Sequence, residues 1–269
     1  MPELPEVETI KNELSPHIIG QRFAGIIVND AKAVVKPDIK EFRRQLIGQK
    51  VKDIARRGKY LVFKLSGGRA LIIHLRMTGS LFLDQAEAVI KARVIFEFDN
   101  GRHLAFVDRR RLGATWLVED VESVFCKMGI EPLFAEFTVN TLVKLLKGRA
   151  APIKAILLDQ NIIAGIGNMY ADEALFAARI HPAIPAGKLS SLEVKRLYKG
   201  IVDVLTTALA SKGASVSTYF RPGGEKGTAH LEFKVAHRRG DACCVCGDNI
   251  QRLAIRGRGS YFCPSCQKK

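Results

Sequence analysis

Hydrophobic positions recur at helical spacing near the start of the chain and then change to the pattern of β-structure. Val7, Ile10 and Leu14 share one face of a predicted helix, which Ser15-Pro16 is expected to end. From about residue 21 to residue 117, short apolar runs alternate with turn signals. The predicted strands are Phe23–Val28, Tyr60–Leu65, Ala70–His74, Val94–Phe98 and residues 103–107. Five or more such strands predict a sandwich or a barrel.

Two glycine-containing turns mark hairpins within this β-region. The first is Ser66-Gly67-Gly68, and the second is Asp99-Asn100-Gly101, which suits a type I′ turn. Both join runs that we predict to be strands. An antiparallel arrangement is therefore expected for the sheet.

Helical patterns replace the strands after Trp116. One covers residues 119–127, and a glycine- and proline-containing segment follows it. Four further helices are predicted at residues 139–146, 152–158, 168–178 and 192–210. These patterns indicate an α+β chain with an N-terminal β-domain at residues 1–128, a linker at 129–137, a helical domain at 138–236 and a terminal segment at 237–269.

The charge of the chain points to a polyanionic partner. Lys and Arg number 42 against 27 Asp and Glu, which gives a formal charge of +15 and a pI of about 9.7. Hydrophobic residues make up 47% of the chain, so the charge is carried by a folded body. Neither a signal peptide nor an apolar run of membrane-spanning length is found. We expect a cytoplasmic protein that does not associate with membranes.

Cysteine spacing predicts a metal site near the C-terminus. Cys243 and Cys246 form one pair, Cys263 and Cys266 form another, and 16 residues separate the pairs. Two such pairs have the spacing of a tetrahedral structural zinc site. We therefore predict one structural Zn²⁺, with Cys126 and Cys244 as ordinary cysteines.

Residues 256–259, Arg-Gly-Arg-Gly, are expected to form the turn of a hairpin between the two cysteine pairs. One interpretation is a zinc ribbon that only folds the C-terminus. The other is a DNA contact, because a small zinc-bound hairpin positions two arginines at little cost in entropy. The sequence favours the second interpretation.

Three basic segments lie at the ends of predicted strands. They cover residues 56–59, 74–79 and 108–113. Each could be a solvated loop, but three at strand ends favour a common surface that neutralises phosphates. Met77 and Leu112 add exposed apolar side chains of the kind that can enter between base steps.

The first residues of the chain could form a nucleophile. Removal of Met1 would expose Pro2 as a secondary amine with Glu3 as its neighbour. An α-amino group has a pKa of about 8, so part of it is unprotonated at neutral pH. Such an amine can form an iminium with an aldehyde-level carbon, as lysine does in Schiff bases. The alternative is an ordinary capped helix with acidic residues in its first turn.

A glycine pair leads into the third of the four helices after the linker. Gly165 and Gly167 precede the helix that begins at Asn168. Backbone N–H groups at a helix start favour an anion, so a phosphate contact is expected there.

These motifs together resemble the formamidopyrimidine-DNA glycosylases. Similarity is found in MPELPEVET at the start, the basic segment with Lys59, the glycine-rich entry at residues 160–176 and the four cysteines, and it covers essentially the whole chain. The resemblance implies an N-terminal antiparallel β-sandwich with flanking helices, a C-terminal helix–two-turn–helix domain and a zinc-finger hairpin. It also implies a monomer that binds damaged double-stranded DNA and excises oxidised purines, with base removal followed by β,δ-elimination.

Roles carry over by position from that resemblance. Pro2 matches the nucleophile, and Glu3 matches the proton donor. Lys59 matches the residue assigned to β-elimination, and Arg258 matches the residue assigned to δ-elimination. The implied DNA contacts are Met77, Lys91, Arg110, Leu112, Arg149, Lys154 and Asn168.

The chain departs from the family pattern at four of its positions. Leu112 stands where phenylalanine is usual, and Arg109 stands where proline is usual. Lys91 occupies the position of a histidine, and His237 occupies the position of a glycine. These changes concern DNA inspection and lesion preference.

Two alternatives stay open: a DNA-binding zinc protein without catalysis, and a glycosylase of the sister branch that excises oxidised pyrimidines. The glycine-containing segment at residues 217–234 resembles the loop that covers 8-oxoguanine, which favours purine lesions.

Overall fold

The computed structural model describes residues 1–269, and its contacts divide the chain into two compact units. The first unit contains Met1–Cys126 and Ser211–His230, and the second contains Lys127–Ala210 and Leu231–Lys269. The prediction from sequence placed residues 211–230 in the helical domain. In the structure this segment packs within the first unit, because it is hydrogen-bonded to residues near the N-terminus. No helix in either unit has the length and apolar character needed to cross a membrane.

The first helix, α1, covers Leu4–Ile18 and continues past the proline that was expected to end it. Its buried face is formed by Val7, Ile10, Leu14 and Ile18. Pro16 lies in the last turn, where its ring removes only one backbone donor. Burial of Ile18, one turn beyond Leu14, therefore extends the helix by two residues.

The first unit contains two sheets that share one hydrophobic core. Its strands are β1 Phe23–Val28, β2 Val34–Lys36, β3 Val51–Arg57, β4 Tyr60–Leu65, β5 Ala70–His74, β6 Gly79–Leu83, β7 Val94–Phe98, β8 His103–Asp108 and β9 Ala114–Val118. One sheet has the order β1-β7-β8-β6, and the other has the order β2-β9-β5-β4-β3. The predicted antiparallel sandwich is confirmed, except that β2 and β9 pair in parallel. Three short helices accompany the sheets: α2 Ile39–Leu46, α3 Ala86–Lys91 and α4 Glu122–Phe125.

One predicted turn has a different geometry in the structure. Of the residues in the 99–101 turn, only Gly101 has a positive φ, +81°. A type I′ turn needs two such residues, so the hairpin instead has a longer loop closed by the bond from Phe98 N to Arg102 O, 2.9 Å. Strands on either side begin and end close to their predicted positions.

The second unit is helical and ends in a hairpin. Its helices are α5 Val139–Leu146, α6 Ile153–Leu158, α7 Asn168–Ala178 and α8 Ser191–Ala210, and its strands are β10 Gln251–Ile255 and β11 Arg258–Phe262. Helices α7 and α8 approach closely at Gly200, where an added Cβ would lie 2.8 Å from the carbonyl oxygen of Ala174. This close contact gives α7 a firm support in the unit.

Candidate active site and nucleic-acid interface

The N-terminal residues are held in a fixed position at the start of α1. Pro2 is buried, and Glu3 is 1% exposed. The backbone N–H of Glu3 donates to Glu6 Oε2 at 2.7 Å within a capping box. The other carboxylate oxygen of Glu6, Oε1, accepts from Ala214 N at 2.8 Å. A single buried carboxylate therefore ties the N-terminus to the segment that begins at Ser211.

Gly213 is required beside this carboxylate. Its φ is +77°, and an added Cβ would lie 2.8 Å from Glu6 Oε1 and 2.9 Å from Glu6 Cγ. Both the backbone conformation and the available space exclude a larger side chain. The segment can approach α1 this closely only because glycine occupies the position.

Lys59 lies in the two-residue turn between β3 and β4. Arg57 pairs with Tyr60 across the turn, and Gly58 supplies the positive φ, +56°. Arg56 donates from Nη1 to Gly58 O at 2.9 Å and from Nε to Glu8 Oε2 at 2.7 Å. Since Glu8 belongs to α1, Arg56 links the helix that follows Pro2 and Glu3 to the turn that carries Lys59.

His74 ends the neighbouring strand and is neutral. Burial, together with the charges of Arg76 and Lys59, lowers the pKa of His74 to about 3. Its Nδ1 accepts a hydrogen bond from Arg76 N at 3.0 Å. A neutral imidazole with one nitrogen engaged acts as a support for the turn at residues 75–79, and not as an acid at neutral pH.

The predicted wedge residues, Met77, Arg110 and Leu112, are carried by two loops that leave adjacent strands. Gly79 and Asp108 are directly paired in β6 and β8, so residues 75–79 and residues 108–113 lie at the same end of the sheet. Met77 is half-buried and Arg110 is exposed, while Leu112 is 48% exposed. Lys91, at the end of α3, is also exposed.

In the second unit, Gln160 organises the loop that leads into α7. Its Oε1 accepts from Gly165 N and its Nε2 donates to Ile166 O, both at 2.9 Å. The first turn of α7 contains no acidic residue, and Asn168 is its half-buried first residue. This helix start can accept an anion.

Two more predicted DNA contacts belong to the same unit and differ in exposure. Arg149 is exposed, whereas Lys154 is 0% exposed. Lys154 Nζ lies 2.6 Å from Asp172 Oδ1 and donates to Gly259 O at 2.9 Å. Burial raises the pKa of Asp172, and the charge of Lys154 opposes that shift. In this structure the Lys154 ammonium supports the terminal hairpin from within and does not face solvent.

Glu173, the neighbour of Asp172, holds the chain just before the hairpin. Its Oε2 accepts from Lys234 N at 2.9 Å, and its Oε1 accepts from Val235 N at 2.9 Å and from Ala236 N at 2.8 Å. Burial raises the pKa of Glu173, and the three backbone donors oppose that shift. Two consecutive acidic residues of α7 therefore fasten both the hairpin and its entry.

The four predicted zinc ligands come together in space. Their sulfur atoms all lie within 4.8 Å of one another, with Cys243 Sγ at 3.9 Å from Cys266 Sγ and Cys246 Sγ at 3.4 Å from Cys263 Sγ. Tetrahedral zinc at about 2.3 Å from each thiolate places sulfur atoms roughly 3.8 Å apart. The cluster could hold a metal ion, and its four thiols suit zinc.

The hairpin between the cysteine pairs has a tighter turn than predicted. Arg256 and Gly257 have φ values of +46° and +75°, and Ile255 pairs with Arg258. Two residues of positive φ make a type I′ turn, so the turn has two residues and not four. Arg258 is consequently the exposed first residue of β11.

Family comparisons place most of the chain in one family. The formamidopyrimidine-DNA glycosylase N-terminal domain matches residues 1–115, and the formamidopyrimidine-DNA glycosylase H2TH domain matches residues 128–220. A formamidopyrimidine-DNA glycosylase of Symbiobacterium thermophilum is 42% identical, with 99% of this chain and 89% of the relative covered. Another, from Chloroflexus aurantiacus, is 40% identical, with 99% and 98% covered.

Solved structures agree in fold over the whole chain. A mutant Fpg of Lactococcus lactis in complex with DNA containing Fapy-dG has a TM-score of 0.93 and 33% identity, with 100% of both chains covered. Fpg of the same organism in complex with DNA containing an abasic site has a TM-score of 0.92 and 33% identity, with 99% and 100% covered. The chain therefore belongs to the formamidopyrimidine-DNA glycosylase family.

Proposed function

We propose that this chain is a bifunctional DNA glycosylase and abasic-site lyase that excises oxidised purines from double-stranded DNA. It would act as a cytoplasmic monomer on 8-oxoguanine and formamidopyrimidine lesions. Support comes from family membership, from the formal charge of +15 and from the arrangement around the N-terminus. The observation that carries the proposal is the pair of hydrogen bonds made by Arg56, because they join α1, which follows Pro2 and Glu3, to the Lys59 turn.

The chemical step begins at Pro2 once Met1 has been removed. The unprotonated amine attacks C1′ of the damaged nucleotide while Glu3 gives a proton to O4′, so that the deoxyribose ring opens. The base then leaves with the electron pair of its bond to C1′ and takes the proton that the amine gives up, which generates an iminium. The resulting iminium withdraws electrons from the adjacent carbons. It therefore favours elimination first of the 3′ phosphate and then of the 5′ phosphate, with Lys59 and Arg258 assigned to these two steps.

The damaged nucleotide must leave the base stack before this reaction. Unstacking costs a few kcal/mol, and the wedge residues would fill the gap that the nucleotide leaves. Lys91, Arg149 and Asn168 would contact the phosphate backbone. Lys154 would contribute through the hairpin that it supports. The proposed catalytic domain covers residues 1–128 and the proposed DNA-binding domain covers residues 138–236, of which residues 211–230 pack within the first unit.

Zinc would be held by the four clustered thiolates and would have a structural function only. Its binding free energy would fold residues 243–266. Chain residues alone would then contact DNA, with Arg258 presented at the start of β11. No step of the reaction requires the metal.

The proposal can be tested by borohydride trapping on duplexes that each carry one defined lesion. We expect cross-links to 8-oxoguanine, formamidopyrimidine and abasic duplexes, with the cross-link mapped to the N-terminal peptide after loss of Met1. Oxidised pyrimidines form the second candidate class, because L. lactis Fpg, 33% identical, has been crystallised with DNA containing an oxidised pyrimidine. Preferential trapping on those duplexes would favour the second candidate. A protein that binds all of them and traps on none would be a binding protein without catalysis.

Arg258→Ala should weaken DNA binding and reduce its dependence on salt. Loss of one phosphate contact lowers the slope of log K against log salt concentration by about one. Fluorescence anisotropy on lesion duplexes over a range of salt concentrations measures this slope. Arg258→Lys keeps the charge and should restore the slope. An unchanged slope in the alanine variant would mean that Arg258 does not reach the backbone.

A further inference from the structure

Asp108 connects the two loops that carry the wedge residues. Its side chain is fully buried, and its Oδ2 accepts from Gly113 N at 2.6 Å, which closes the 108–113 loop. Its Oδ1 accepts from Arg110 N at 3.2 Å and from the hydroxyl of Thr78, which belongs to the other loop. One carboxylate thus bonds to both loops.

Thr78 is the other half of this connection. Its hydroxyl donates to Asp108 and also accepts from Arg110 N at 3.1 Å. The neighbouring residue, Met77, is fixed from a different side, because Thr218 Oγ1 donates to Met77 O at 3.3 Å. The Thr78 hydroxyl therefore lies directly between the Met77 turn and the backbone of Arg110.

A buried cation completes the support of the second loop. Arg93 is 4% exposed, and its Nη1 donates to Gly113 O at 2.6 Å and lies 3.4 Å from Asp108 Oδ2. Its Nε donates to Asp30 Oδ2 at 2.8 Å, and Arg111 Nε donates to the same oxygen at 2.9 Å. The base of the loop is thereby fixed at both ends. Charged hydrogen bonds of this kind are stronger than neutral ones.

We propose that Thr78 and Asp108 join residues 75–79 and residues 108–113 into one rigid support, so that Met77, Arg110 and Leu112 enter DNA as a preorganised set. Thr78 and Asp108 are positioning residues: they act through the wedge residues and touch no reacting atom. The inference rests on the proposed function, since it concerns how that enzyme fills the gap in the stack. Rigid loops lower the entropy that must be lost when the wedge residues are inserted.

Thr78→Val tests the connection with little change of shape, whereas changes at buried Asp108 could unfold the loop. Single-turnover excision should be compared on 8-oxoguanine paired with cytosine and on 8-oxoguanine opposite an abasic site. Only the first substrate leaves an unpaired base that has to be held. On 8-oxoguanine paired with cytosine, we expect the excision rate of Thr78→Val to be roughly tenfold below that of the wild-type protein, as for one lost hydrogen bond to a charged group. On 8-oxoguanine opposite an abasic site, the two rates should be equal. Thr78→Ser should restore the rate.

A matched control is Thr141→Val, which removes a half-buried hydroxyl that donates to Glu136 O at 2.9 Å in the second unit. It should affect both duplexes equally. A second readout uses 2-aminopurine opposite the lesion, whose fluorescence follows insertion without any chemistry. It should rise more slowly with Thr78→Val. If Thr78→Val lost the same factor in excision rate on both duplexes, or left the fluorescence rise unchanged, the proposal that Thr78 joins the two wedge loops would be overturned. Failure of the proposed function would be distinguishable, because the wild-type protein would then excise neither substrate.

Discussion

Glu3→Gln should almost abolish base release while lesion DNA is still bound. A positioned general acid contributes about 10²–10⁴-fold to a rate, so a loss of at least about a hundredfold is expected. Glutamine has a similar size and retains an oxygen that can accept from the start of α1, so the helix should stay capped. Single-turnover excision and anisotropy on the same lesion duplex separate the two effects.

Two further variants sharpen this expectation. Pro2→Gly replaces the secondary amine by a primary one, which can still form a Schiff base, and should retain part of the borohydride cross-linking. Glu119→Gln is the matched control, because Glu119 is an exposed carboxylate paired with Arg69 at 2.6 Å. It should leave excision unchanged. Full base release by the Glu3 variant would remove Glu3 from the mechanism.

Cys246→Ser, or removal of zinc by a chelator, should disorder the terminal hairpin and eliminate specific DNA binding. Metal binding in such small sites supplies about 10–16 kcal/mol, which is folding free energy for the segment that it holds. The first unit has its own core and should stay folded. Hydrogen exchange should therefore increase in peptides that cover β10 and β11, while peptides from β3 to β5 stay protected.

Cys244→Ser provides the control for the metal site. Cys244 is exposed and lies next to a ligand, but it does not belong to the cluster of four thiols. The variant should bind one zinc per chain and should bind DNA as before. Loss of zinc with Cys244→Ser, or its retention with Cys246→Ser, would mean that the ligand set is wrong.

Sequence predicted those parts of the fold whose signals are local. Four strands, β1, β4, β5 and β7, have the predicted bounds, because each is an apolar run between turn residues. Strand β3 was not predicted, because its sequence VKDIARR is mostly polar. In the structure, its backbone pairing with β4 compensates for the weak apolar pattern. Strand β6 is short and begins with Gly79-Ser80. Position 79 must be glycine, because an added Cβ would lie 2.3 Å from Leu75 O.

The site was predicted from motif residues, and the residues that support it were not. Glu6, Arg56, Asp172 and Glu173 each bond to a partner outside their own motif, so no local pattern marks those partners. Gln160 differs, because it bonds within the glycine-rich entry that it begins. Glu6 is a partial exception, because an acidic residue three positions after a helix cap is a known capping signal. Burial of Lys154 could not be predicted either. Its ammonium group is bonded to a carbonyl 105 residues away.

The Lys154–Asp172 pair restricts how the terminal hairpin can evolve. Loss of one partner leaves an uncompensated buried charge, which costs about 3–5 kcal/mol, whereas replacing both by apolar residues of similar volume can be nearly neutral. Intermediates with only one change would hold Gly259, and with it the neighbouring Arg258, less firmly. Homologous chains should therefore inherit these two residues together or exchange them together, although 17 residues lie between them in the sequence.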